Sequence, residues 1–234
     1  MTESIGNFDE VTDSYPGQLE AALGAFGSES DYFARYKVEL VSHVIKDLPV
    51  ATILDYGSGI GSSIPYFKMF FPSARISATD LSLESLKRLK TNHPDVNIIG
   101  PDDLHGNRFD LVFLSCVVHH IPVDSRIAEV VKVITLVQPG GHVCVFEHNP
   151  FNPLTRRIVS KCEFDEGVVL VSKRKLGQLF TMQQESFDFR AGYCMFFPPA
   201  LKRFAFLERF IRRLPLGGQH FLIAQKSQIT STHR

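Results

Sequence analysis

Two periodicities alternate along this chain. Short runs of nearly unbroken apolar character fall at 51–56, 75–79, 96–99, 109–115, 142–147, 187–196 and 220–225, and each reads as a β-strand. A strand with one solvated face would alternate apolar and polar residues, so these runs predict a sheet covered on both faces. Between them lie stretches with helical spacing. Asp31 precedes Phe33, Leu40, Val41, Val44, Ile45 and Leu48, which share one face of a helix that Pro49 would end. Ser82 is placed to cap a helix supported by Glu84 and limited by Pro94. Asp124 is placed to cap another, carrying Ile127, Val130, Val131 and Ile134, until the glycine pair of "QPGG" stops it. A shorter helix is expected at 175–180. Strands alternating with helices predict an α/β fold: a doubly wound, mostly parallel sheet with right-handed crossovers and a ligand crevice at the carboxyl ends of its strands.

The 234 residues suit one domain with a sizeable core, so 1–234 reads as a single unit. Lysine plus arginine and aspartate plus glutamate both total 25, so no bulk field favours nucleic acid or an anionic membrane, and a small-molecule partner is expected. Cys116, Cys144, Cys162 and Cys194 form no C-x-x-C pair, so neither a disulfide framework nor a metal site is visible. The start, "MTESIGNFDE", lacks the basic and apolar regions of a signal peptide, and no run reaches roughly 18 apolar residues, so a cytoplasmic location is expected.

The chemistry begins at "ILDYGSGIG", where Asp55 is followed by Gly57, Gly59 and Gly61. Glycines in the turn after a first strand let a ligand approach the backbone and permit unusual dihedrals. The dinucleotide fingerprint is G-x-G-x-x-G, but this turn reads G-x-G-x-G behind a carboxylate, which repels a pyrophosphate and suits a ligand bearing an ammonium group. Asp80 ends the second strand about 20 residues further on, where a carboxylate accepts both hydroxyls of a ribose or caps the following helix. A ribose and a cation without a phosphate site describe S-adenosylmethionine.

"ILDYGSGIG", "ATDLS", "FDLVFLSCVVHHI" and "VQPGGHVCVFEHNP" resemble, in order and spacing, the motifs of class I S-adenosylmethionine-dependent methyltransferases. The resemblance covers residues 35–150 well and the last third in outline. It implies a seven-stranded Rossmann-like methyltransferase sheet whose last strand, here "QHFLIAQKS", is antiparallel. It carries the cofactor's methionine portion onto Asp55, Gly57, Gly59, Gly61 and Ser115, the ribose onto Asp80, and the adenine onto Asp102 or Asp103 with Leu104, and it adds Leu81 as a further cofactor contact. It also makes residues 1–30 a lid in which Tyr15 folds over the cofactor. Where enzymes that methylate base and amide nitrogens carry an N-P-P-[YF] signature after the fourth strand, this chain has "SCVV", which disfavours nucleic acid as acceptor.

Methyl transfer needs a general base only when the acceptor must lose a proton. His119, His120 and His148 are the candidates; a histidine of the His-His-Ile-Pro run equally serves to pack its loop. Glu147 and Asn149 beside His148 are polar groups at the same strand mouth, free to meet an acceptor or to bond loop backbone. The proline-bearing stretch that opens residues 148–185 would cover the acceptor, with Arg156 and Arg157 gripping an anionic group or simply solvated. The basic, aromatic stretch 201–215 reads as a helix whose apolar face packs on the sheet or on a second subunit in preference to lipid. Together these features predict methyl transfer to a small molecule, oxygen favoured over carbon or nitrogen. A cofactor-binding domain without turnover and a protein or nucleic-acid methyltransferase stand as alternatives.

Overall fold

The structure is a computed structural model and describes residues 30–162, 165–183 and 186–228. Seven strands form one sheet: β1 (Thr52–Tyr56), β2 (Arg75–Thr79), β3 (Asn97–Ile98), β4 (Phe109–Ser115), β5 (Val137–His148), β6 (Phe187–Cys194) and β7 (Gln219–Lys226). Their order is β3-β2-β1-β4-β5-β7-β6, parallel except that β7 runs antiparallel to both β5 and β6. The helices are α1 (Ser30–Val44), α2 (Ile64–Phe70), α3 (Leu83–Asn92), α4 (Arg126–Leu136), α5 (Pro153–Val159), α6 (Lys173–Thr181) and α7 (Glu208–Ile211).

The unbroken apolar runs are explained by coverage of both faces. Ile53, Phe113, Phe146 and Ile223 pack with Val38 and Val41 of α1 and with Ile64 and Phe67 of α2. Their strand neighbours Leu54, Leu114, Val145 and Ala224 point the other way, onto Val130 and Ile134 of α4 and Leu176 and Phe180 of α6. The carboxylate of Asp110, early in β4, receives Ala51 N, Thr52 N and Thr52 Oγ1 at 2.8–2.9 Å, which ties the start of β1 to its neighbour.

Several expectations need correction. "QPGG" does not end α4; it lies inside β5, where Gly140 takes φ +82° and the register with β4 is irregular between Phe109 and Leu111. A Cβ on Gly141 would lie 2.9 Å from Asp110 O, so the glycines bend the strand against its neighbour instead of breaking it. Ser82 Oγ does cap α3, accepting Ser85 N at 3.0 Å, but Asp124 sits in a separate 3-10 turn and α4 begins beyond it with no side-chain cap. α1 stops at Val44, which leaves Leu48 outside it and exposed. The stretch 201–215 is not one amphipathic helix. A 3-10 segment, Pro199–Leu207, kinked at Leu201, leads into the single turn of α7, where buried Glu208 accepts Tyr36 OH and Phe196 N. No described helix is long and apolar enough to cross a membrane.

Phe113 is fully buried where its ring meets Phe67 edge-on at 5.2 Å and Phe146 at 5.6 Å. Phe113→Ala is expected to lower the unfolding free energy by about 3–5 kcal/mol in denaturant titrations. A loss below about 1 kcal/mol would contradict this placement of the core.

Candidate functional site

The turn after β1 is shaped by what presses on it. Gly57 N and Ser58 N both donate to Thr79 O of β2, at 2.9 and 3.0 Å. Gly57 (φ +70°) leaves no room for a side chain, since a Cβ would come within 2.6 Å of Val117 Cγ2. Gly59 (φ +52°) has nothing within 4 Å of its Cβ position and opens onto a cavity. Gly61 belongs to a different environment. Its Cβ position lies 2.8 Å from Leu89 Cγ of α3 and it does not line the cavity, so its glycine serves helix packing and not a cofactor contact.

Asp80 bears out the helix-entry reading of the sequence. Its Oδ2 accepts Gly59 N at 2.7 Å and its Oδ1 accepts Ser82 N at 2.9 Å, so it braces the glycine turn and the entry to α3 while facing the cavity with Leu81. Asp55 is 2% exposed. Burial, with Asp80 adding repulsion and Lys37 opposing, pushes its carboxyl up to about 7.

The cavity holds about 650 Å³ and runs from this turn to the ends of β4, β5 and β7. Lys37 of α1, 6% exposed, reaches in and donates to Ser115 Oγ at 2.7 Å, with Cys116 Sγ at 3.6 Å. Burial raises the Cys116 thiol, but Lys37 and His148 outweigh it and bring the thiol down to about 6. Ser58 Oγ, Thr79 Oγ1 and Gln219 Oε1 are buried in this wall without a hydrogen-bond partner.

At the far end Glu147 is fully buried. Its Oε1 accepts Val117 N and Val118 N at 3.1 and 2.7 Å, and its Oε2 meets His119 Nδ1 at 2.6 Å. His119 Nε2 lies 3.2 Å from Asp165 Oδ1, and His120 Nε2 lies 3.4 Å from the same oxygen. Burial lowers the His119 imidazole, but the two carboxylates outweigh it and hold it up at about 10. Burial and the charge on His119 draw His120 down to about 4. His148 also lines the cavity, its ring 5.1 Å from that of His119.

The remaining expected contacts fall elsewhere. Asp102 and Asp103 are exposed on the turn after β3 and Leu104 is drawn into the core, so Pro101 is the residue of that turn on the cavity wall. Glu147 faces the loop and His119, not an acceptor. Asn149 is fully buried, donating to Pro215 O and Gly217 O and accepting Phe151 N. Arg156 and Arg157 are exposed on α5, whose cavity side carries Leu154, Thr155 and Ile158. Among the described residues of 148–185, the earlier part lines the cavity, whereas Leu176 and Phe180 of α6 fill the core. Tyr15 and the expected lid lie outside the described residues. Lys37, Cys116, Asp165 and Gln219 had gone unrecognised. Lys37 alone left a trace, as a cation on the apolar face of Ala34, Val38 and Val41.

Strand order and crevice define a Rossmann-like fold of the methyltransferase type. Residues 54–143 match the family model described as a methyltransferase domain. That match, the sheet topology and the glycine turn make the chain similar to class I S-adenosylmethionine-dependent methyltransferases. Among solved structures it resembles the plantazolicin methyltransferase BpumL bound to S-adenosylhomocysteine, with TM-score 0.60 and 13% identity, covering 95% of this chain and 100% of that one. A putative O-methyltransferase from Nostoc punctiforme gives TM-score 0.62 and 16% identity over 93% and 72% of the two chains. The N-methyltransferase NodS from Bradyrhizobium japonicum gives 0.58 and 12% over 94% and 98%. No curated protein matches in sequence.

The raised Asp55 carboxyl sets a pH dependence. Folding favours its neutral form, so the stability it contributes is lost as pH rises from about 4 through about 7. A cofactor ammonium favours the charged form. Affinity for S-adenosylmethionine should therefore increase as pH rises towards about 7 and level off above it, while Asp55→Asn binds weakly with a flat profile. Parallel profiles for the two proteins in calorimetric titration would remove Asp55 from the cofactor site.

Proposed function

We propose that the chain transfers the methyl group of S-adenosylmethionine to an oxygen of a small polar acceptor. The observation that carries this reading is the continuity of one cavity, from Gly59 and Asp80 at one end to Cys116, His120, His148 and Asp165 at the other. Asp80 would bind the ribose, Asp55 the cofactor ammonium, and Gly59 would admit the methionine portion against the backbone. The acceptor would then stand among the histidines, beneath Asn152 and Thr155.

In the transfer the acceptor oxygen attacks the methyl carbon opposite the sulfonium. The carbon–sulfur bond breaks with its electron pair left on sulfur, which loses its charge, so alignment and exclusion of water contribute more than an oxyanion hole. A hydroxyl must also give up its proton, and His148, on the cavity wall, is the acceptor we assign for it. His119 is held between two carboxylates and orients the loop instead. Similar folds are named for methylation at oxygen and at nitrogen, so the preference for oxygen rests on the proton-accepting side chains of this chain.

A panel of hydroxylated acids, sugar derivatives and amines, read by release of S-adenosylhomocysteine, tests the reading. His148→Ala should lower kcat on hydroxyl acceptors by about 10²–10⁴-fold while leaving cofactor affinity nearly unchanged. Turnover of amines alone, or full activity of the variant, would overturn the assignment to oxygen.

A further inference from the structure

Sequence spacing shows no metal site, yet the fold brings Asp165 against the histidine pair from 46 positions away. We propose that His119 Nε2, His120 Nε2 and Asp165 Oδ1 form a binding site for one divalent metal ion, zinc by preference, at the acceptor end of the cavity.

The three ligand atoms lie within 4.8 Å of one another. The two distances from Asp165 Oδ1, 3.2 Å to His119 Nε2 and 3.4 Å to His120 Nε2, match the separation of neighbouring ligands around a tetrahedral ion with bonds of about 2.0–2.1 Å, which is about 3.3 Å. Two imidazoles and one carboxylate are a donor set suited to zinc, and three protein ligands leave a fourth position open, as catalytic zinc sites do.

Outer support is also present. His119 turns its Nδ1 to Glu147 Oε2 at 2.6 Å, and the other oxygen of Glu147 is fixed by Val117 N and Val118 N. A buried carboxylate behind a histidine fixes the ring and directs its second nitrogen at a metal. The two carboxylates also offer a dication two negative charges in a buried setting.

All three ligands line the cavity, so the open position faces the space assigned to the acceptor. An acceptor oxygen placed there would be held and its hydroxyl made more acidic. That role rests on the function proposed above; the metal site itself does not.

The test is calorimetric titration of untagged, chelator-treated protein with zinc chloride, beside a titration with S-adenosylmethionine. Wild type should bind one equivalent of zinc saturably. His120→Ala and Asp165→Ala should each lose at least tenfold in affinity, and Glu147→Gln about 10–100-fold. The thermal transition of wild type, but not of His120→Ala, should rise with zinc. His120 is only partly buried, so its variant reports even if Asp165→Ala fails to fold. No zinc binding by wild type, or equal binding by wild type and His120→Ala, would overturn the site. Zinc bound without methylation of any hydroxyl acceptor would retain the metal site and remove the function proposed above. Methylation of hydroxyls by protein that binds no zinc would do the reverse.

Discussion

The divergence of the chain at the carboxyl ends of β1 and β4 is the constraint on which the site depends. After β1 the chain turns to α2 on one face of the sheet; after β4 it proceeds to α4 on the other. Two crossovers leaving adjacent strands in opposite directions must open a crevice between them. The glycine turn forms its floor, with Val117 from the β4 loop packed so close to Gly57 that no larger residue fits. Asp80 locks the arrangement by receiving amides from the first turn and from the entry to α3.

Charge is buried at both ends of the crevice, and each end is balanced differently. Around the glycine turn the two carboxylates of Asp55 and Asp80 face one lysine, Lys37, so Asp55 is left short of positive charge. In the function proposed above, the ammonium of the cofactor would supply what is missing. At the other end the carboxylates of Glu147 and Asp165 enclose His119, and burial keeps His120 from sharing the charge. Unpaired buried charge is costly, so each arrangement implies a ligand or proton of defined sign.

Much of this was legible in the chain. Buried strands on both faces leave continuous apolar runs, so β2 and β4 were located to the residue. The glycine turn with Asp80 carried a cofactor signature because local geometry alone demands it. Other features depend on contacts distant in sequence. Gly61 matched the motif but answers to Leu89, and Leu104 matched an adenine contact but answers to the core. "QPGG" read as a stop because glycine next to proline usually is one, whereas here the backbone of β4 presses against Gly141. Lys37, Gln219 and Asp165 come from elements that meet only when the sheet is assembled. No local pattern could pair Asp165 with His119.

The most direct test of a shared cofactor crevice is calorimetric titration of the protein with S-adenosylmethionine and with S-adenosylhomocysteine, set beside the Asp80→Ala variant. Both ligands should bind one-to-one to the wild type, and the variant, folded by its circular dichroism, should bind each at least tenfold more weakly. A folded wild-type protein that binds neither ligand, or a variant that binds both unchanged, would contradict the account.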